Sequence, residues 1–342
     1  MLSLVPRSLC HFANLLSFDR MLPPANQTWA HSVVSQEMLQ SALAGDSPTI
    51  TAIETDILMG STTTNSTHND KKIIPITAHP PETVSDLTVQ YLLEQVRDLS
   101  LHLKLDFKES IAVGPTLQLI KDILLCPDNS RITRPLPSRT LFLNADILPG
   151  PGRSPGDLTV PATTFLNDCT TFLDQEVLSE STAQSNNITI AYSLGWKVDV
   201  CCPFGYTKQH VRDMNRVISS NRLKVPIVLA VNARLLAKSP KQPFLDFLSL
   251  QEENDSSSPS SSSRQLLVWT GAGEPPIGQY TLRRIQCLYA QVPGQVGFDV
   301  QVAPNAMTAR MYDVIMWVLG WKNLLLGLWG KRAWPTSTKK IS

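Results

Sequence analysis

Ile53-Glu54-Thr55-Asp56-Ile57-Leu58 and Leu103-Lys104-Leu105-Asp106-Phe107-Lys108 are short apolar runs with a charge at every second residue. In an extended strand successive side chains point to opposite faces, so Glu54 and Asp56 share one face. Lys104, Asp106 and Lys108 share a face in the same way. The Ile, Leu and Phe residues between them need a core, but they do not call for carboxylates on the other side. If the charged face looks into a barrel the charges are buried, and buried charges need partners or a metal. Between the two runs stands Ile76-Thr77-Ala78-His79-Pro80-Pro81, another apolar run ending on a titratable residue.

Outward from this stretch the pattern alternates. A short strand ends at His31 and a helix follows near 36–44, before the strand 49–58. The polar segment 60–72, rich in Thr, Ser and Asn, lacks apolar periodicity and leads directly into the strand 73–78, which predicts a hairpin rather than a helical crossover. A helix is expected at 84–99. Strands then alternate with helices: strand 101–107 with helix 111–125, strand 140–147 with helix 161–173, and strand 188–194 with helix 208–220. Strand 226–232 with helix 243–250 and strand 266–269 with helix 282–291 follow, and strand 296–300 closes the series. Leaving out the hairpin strand, this makes eight strands, most followed by helices. Such alternation implies a parallel sheet, and eight strands imply closure into a single TIM (β/α)8 barrel with an extra β-hairpin after strand 2.

The 342 residues accommodate one such barrel, with 42% hydrophobic residues, 17% charged residues and a formal net charge of +1. This balance gives no reason to expect nucleic acid as a partner. Proline outnumbers glycine, 25 to 16, which predicts rigid loops. Six cysteines lack metal-ligand spacing, and adjacent Cys201 and Cys202 are not a CxxC motif. Sequons at Asn26, Asn65, Asn187 and Asn254 matter only in a secreted chain. Residues 1–25 lack an uninterrupted apolar h-region and are expected to form a disordered or loosely packed extension, which favours a cytoplasmic over a secreted location. The barrel is expected over 26–304, with a disordered Ser-rich loop at 254–263. The tail, 305–342, is apolar and tryptophan-rich, but Asp313, Lys322 and Asn323 interrupt it. It is expected to pack as a terminal helix on the barrel, with contact to a membrane surface as the alternative.

Active sites of these barrels lie at the C-terminal ends of the strands. There the sequence places His31, Glu54 and Asp56, His79, Asp106 and Lys108, and Asn144 and Asp146. Three converging carboxylates make an oxygen-ligand site for Mg²⁺ or Ca²⁺, with coordination positions left for water and phosphate oxygens. Two histidines beside it suit general acid and base, and a lysine suits a phosphoryl oxygen as charge builds up. Asn144 and Asp146 can orient ligands or shape the following Pro-Gly turn. Trp196 and Trp269 can wall a substrate pocket. Asp299 stands near the end of the last strand with no assigned role, and His11, His68, His102 and His210 are expected to be surface or structural.

Trp29-Ala30-His31-Ser32, Ile53-Glu54-Thr55-Asp56-Ile57, Ala78-His79-Pro80-Pro81-Glu82-Thr83, Leu103 to Lys108, Asn144 to Pro151, Ser193-Leu194-Gly195-Trp196 and Val268-Trp269-Thr270-Gly271 resemble, in order and spacing, successive motifs of the menorin family. That family is in turn similar to the phospholipase-C-like phosphodiesterases, including glycerophosphodiester phosphodiesterases and sphingomyelinase D. The resemblance implies a metal-dependent phosphodiesterase: Glu54, Asp56 and Asp106 as ligands of Mg²⁺ or Ca²⁺, His31 and His79 as acid and base, and Lys108 on the phosphate side. Lys104, Asn144, Trp196 and Trp269 would contact substrate, a phosphodiester small molecule or a lipid head group. One departure stands out. Glycerophosphodiesterases follow the first histidine with Arg and Gly, whereas Ser32 and Val33 follow it here, so Lys104 or Lys108 must take over from the arginine. The family takes its name from a secreted factor in neuronal cell-surface recognition. The alternative is therefore a non-catalytic extracellular recognition protein that keeps the barrel and binds a protein partner.

Overall fold

The structure, a computed structural model, describes residues 27–44, 50–63, 72–125, 138–177, 187–223, 225–250, 264–271 and 273–330. The expected N-terminal extension and the Ser-rich loop lie outside the described residues. Ten strands form one sheet: β1 (Trp29–Ala30), β2 (Ala52–Thr62), β3 (Ile74–Thr77), β4 (Val84–Ser85), β5 (His102–Phe107), β6 (Arg139–Pro149), β7 (Ile188–Lys197), β8 (Ile227–Asn232), β9 (Arg264–Trp269) and β10 (Val296–Asp299). Eight of them run parallel in the order β1-β2-β5-β6-β7-β8-β9-β10. The helices are α1 (Gln36–Leu43), α2 (Val89–Val96), α3 (Val113–Ile120), α4 (Ala162–Phe172), α5 (Lys208–Ser220), α6 (Ala233–Leu236), α7 (Gln242–Ser249), α8 (Gln279–Leu288) and α9 (Ala306–Gly330). This is the expected α/β barrel, nearly closed.

Two-residue periodicity divides the side chains into an outer and an inner set. The outward residues, such as Ile53, Leu103, Leu105, Leu141, Tyr192, Leu194 and Val268, merge with the helices into one large apolar core. Inside the barrel a smaller cluster of Phe142, Ala191, Val228 and Leu267, with Trp29 against it, forms a plug. Two residues further along β1, β6, β8 and β9 come His31, Asn144, Ala230 and Trp269, all of which line a cavity. The same alternation thus stacks a polar layer on the apolar floor, at the C-terminal ends of the strands.

The hairpin forms as expected: β3 runs antiparallel to β2, with Ile57 opposite Thr77. Around the hairpin two boundaries differ from the sequence expectation. Strand β2 continues to Thr62, and residues 84–85 are strand β4, parallel to its far end, rather than the start of a helix. The backbone of 83–85 is engaged by that strand, since Ser61 N donates to Thr83 O and Thr63 N to Ser85 O. Helix α2 therefore begins only after Thr88, whose hydroxyl accepts from Tyr91 N at 3.0 Å, a normal N-cap. Gly60 permits the crossing, because a Cβ there would lie 2.4 Å from Thr83 O.

No ladder joins β1 to β10 among the described residues. A side-chain bond spans that seam: His31 Nδ1 lies 2.7 Å from Asp299 Oδ2. Helix α9 packs on the loops after β7, β8 and β9. Met316 touches Cys201, Arg234 pairs with Asp313, and Ala309 lies against Gly278. Among the described residues no helix is long and apolar enough to cross a membrane.

Candidate active site

A cavity of about 330 Å³ opens at the C-terminal end of the barrel. It brings together His31, Glu54, Asp56, His79, Lys104, Asp106, Lys108, Asn144 and Trp269 from the sequence reading. Glu54, Asp56 and Asp106 each offer a carboxylate oxygen within 4.8 Å of the others. Strands β2 and β5 create that convergence, because their parallel register sets Asp56 beside Asp106 and Glu54 beside Lys104.

Each acid has a distinct environment. Burial raises the Glu54 carboxyl above its ordinary pKa, partly offset by Lys104, whose Nζ lies 3.8 Å away. The Ser32 backbone N–H also donates to Glu54 at 2.7 Å, from a residue at φ 55. Asp56 goes the other way. Burial works against its charge, but the Lys108 ammonium and the His79 hydrogen bond hold its pKa down at about 2. Lys108 Nζ bridges Asp56 at 2.9 Å and Asp106 at 2.6 Å. Burial opposes the charge on Lys108, yet Asp106 and Asp56 push its pKa well above the usual lysine range. Lys104 is raised too, since Glu54, Asp106 and Asp299 outweigh its burial.

Both histidines are held through Nδ1 by a carboxylate. His79 Nδ1 sits 2.5 Å from Asp56, and this hydrogen bond raises its pKa. His31 Nδ1 meets Asp299 at 2.7 Å and lies 3.5 Å from Glu54. Burial lowers the His31 pKa, but the bond to Asp299 and the charge on Glu54 more than reverse this. Among the described residues both rings bond through Nδ1 and not through Nε2. Asn144 accepts from the Ser193 hydroxyl at 2.5 Å, which orients its amide.

One predicted pocket residue lies elsewhere. Trp196 is buried against Tyr206 and Phe244, outside the cavity. Its parity on β7 is that of Tyr192 and Leu194, which face the helices. The neighbours of opposite parity, Gly195 and Lys197, face inward, and Lys197 lines the cavity. The structure also gives surroundings to Asp299 and Asp146, whose roles the sequence left open, and adds Lys197 and Glu274. Asp299 is the partner of His31. Burial and the nearby Asp106 raise Asp146 to about 6. Asp146 packs over Gly195, where a Cβ would fall 2.4 Å from its Oδ1. Glu274, in the loop after β9, accepts from the Asn232 amide at 2.9 Å and lines the far wall. An inward parity on β7 was readable for Lys197. Asp299 and Glu274 depend on contacts spanning 268 and 42 residues.

The wall carries five carboxylates (Glu54, Asp56, Asp106, Asp146, Glu274) and three lysines (Lys104, Lys108, Lys197). Lys108 already compensates two of the carboxylates, Asp56 and Asp106. Three hard oxygen donors suit Mg²⁺ or Ca²⁺. The donor set therefore fits such an ion, provided Lys108 yields the oxygens it now holds.

The model of the Menorin N-terminal domain matches residues 25–286. The chain belongs to the menorin family. The match spans the barrel from before β1 into α8 and includes every residue that lines the cavity, while Asp299, the partner of His31, lies beyond it. Among curated proteins, this menorin-family chain is similar to human Protein FAM151B, at 29% identity over 250 residues, which is 73% of this chain and 74% of that protein.

Proposed function

We propose that this menorin-family chain is a divalent-metal-dependent phosphodiesterase. One observation carries the reading: two imidazoles, each anchored at Nδ1 by a carboxylate, stand in one cavity with three converging carboxylates and a bridging lysine. Glu54, Asp56 and Asp106 would hold Mg²⁺ or Ca²⁺, which when bound polarises a phosphoryl group.

The chain's own residues supply the rest. One histidine takes a proton through Nε2 from the attacking water or substrate hydroxyl, and the other returns one to the leaving oxygen. Asp299 and Asp56 fix the two rings and favour their protonated forms, as the raised pKa values indicate. Lys108, once displaced from Asp56 and Asp106, balances charge on a phosphoryl oxygen. Lys104 keeps Glu54 compensated, and the Asn144 amide and Trp269 shape the space for the ester groups.

The test is hydrolysis of a panel of phosphodiesters (lysophospholipids, glycerophosphodiesters, cyclic nucleotides and a chromogenic bis-ester) with Mg²⁺, Ca²⁺ or EDTA. Wild type is compared with His79→Ala and Glu54→Gln. Activity that needs metal and disappears in both variants is expected. A folded chain that binds metal and turns over no diester would point instead to recognition of a partner.

A further inference from the structure

Helix α9 is apolar on two sides. One side, with Ala309 and Met316, is buried against the barrel. The other shows Met307, Met311, Val314, Ile315, Val318 and Leu319, all exposed and spaced as one helical stripe. An apolar face of that length is normally covered. Its position limits what can cover it. The residues α9 rests on, Cys201, Arg234 and Gly278, follow the C-terminal ends of β7, β8 and β9, and Val198 and Val200, beside Cys201, line the cavity. Ile111, Phe204 and Tyr280 are exposed on the segments that follow β5, β7 and β9, at the same barrel end. Leu99 and Leu250 are exposed at the opposite end.

The charge pattern selects one occupant. Asp313 is the last acidic residue of the sequence, and Lys322, Lys331, Arg332, Lys339 and Lys340 follow it. Four of the chain's 7 tryptophans (Trp317, Trp321, Trp329, Trp334) fall in the same segment. Arg310 and Lys322 are exposed on α9 itself. Apolar side chains flanked by cations and tryptophan are the composition of a helix that lies in an anionic bilayer surface.

We infer that α9 and the adjoining loop tips dock the C-terminal face of the barrel on an anionic membrane surface, so that the cavity takes a phospholipid head group. The substrate named here rests on the phosphodiesterase reading; the docking does not.

The experiment floats the full chain with phosphatidylcholine vesicles containing roughly a third phosphatidylserine, and with vesicles of phosphatidylcholine alone. Wild type is expected to rise with the anionic vesicles and to come off at high salt. The pair Met311→Glu and Val318→Glu is expected to lower the bound fraction about tenfold or more. Arg310→Gln with Lys322→Gln, which leaves the apolar packing untouched, should weaken binding to anionic vesicles, whereas Leu250→Glu on the opposite face should change nothing. Hydrolysis of vesicle-borne phospholipid should fall in the Met311/Val318 pair while hydrolysis of a soluble chromogenic diester is kept.

Wild type that stays with the soluble fraction overturns the proposal. So does equal flotation of all variants, or a dimer in size exclusion that the Met311/Val318 pair converts to monomer without any vesicle binding. Flotation without turnover of any diester would sink the phosphodiesterase reading and leave the docking surface standing.

Discussion

Replacing Lys108 with methionine keeps the length of the stem and deletes the ammonium between Asp56 and Asp106. Removing one member of a buried charge pair costs roughly 3–5 kcal/mol, because the remaining charges lose their compensation. The Lys108 side chain is 21% exposed, which argues for the lower end, about 3 kcal/mol. For a domain of this size that lowers the melting temperature by roughly 6–12 °C in EDTA. Added Mg²⁺ or Ca²⁺ acts in the opposite direction. The ion meets two aspartates that no longer hold a lysine, so its affinity for the variant should exceed that for wild type. At a hundred times its Kd it stabilises by about 2.7 kcal/mol. Thermal melts of both proteins, in EDTA and over a metal titration, should show the gap narrowing as metal is added, while diester hydrolysis stays lost. Melting temperatures that ignore metal in both proteins would refute the reasoning, as would a variant within a degree of wild type in EDTA.

Asp299→Asn keeps an oxygen beside His31 but removes its charge. The His31 pKa, raised in wild type, should fall, so the limb of the pH–rate profile that His31 sets moves to lower pH and the rate drops roughly a hundredfold. An unchanged profile would remove Asp299 from the mechanism. Asp146 has a folded pKa raised to about 6, so it binds its proton more tightly in the folded state and costs stability as pH rises from about 4 through 6. Asp146→Asn should therefore be more stable than wild type by about 3 kcal/mol at pH 7.5 in EDTA, with the difference vanishing near pH 3.5, as urea titrations would read. Gly195→Ala drives a methyl into Asp146 and should cost about 1–3 kcal/mol in the same assay; a neutral result would contradict the close approach.

The alternation of charge in β2 and β5 was enough to place Glu54, Asp56, Lys104, Asp106 and Lys108 on one inner face, since side-chain parity is a local property. The same rule, applied to β7, assigns Trp196 outward with Tyr192 and Leu194; size and position at a strand end had suggested a pocket wall instead. The helix expected at 84–99 begins only at Val89, although the apolar spacing that predicts it starts at Leu87. Pairing with β2, a tertiary event, claims the backbone of 84–85 first. The partnership of His31 with Asp299 arises only when the first and last parallel strands meet, and the loop carrying Glu274 is fixed by Asn232 on β8. Neither leaves a periodic trace in the sequence. The tail was legible as apolar and tryptophan-rich, but not that its exposed stripe would lie on the side of the barrel where the cavity opens.

The seam between β1 and β10 gives His31 a second duty. Among the described residues the two-residue β1 has a ladder only to β2, and the bond to Asp299 spans the gap to the other edge. The residue proposed to trade protons is thus also the hasp of the barrel. Inactivity of a His31 variant will mix lost chemistry with an unlatched edge, and amide exchange at 29–33 and 296–299 can separate the two. Damage at His79, which stands on the hairpin side away from that seam, should leave those amides as slow as before.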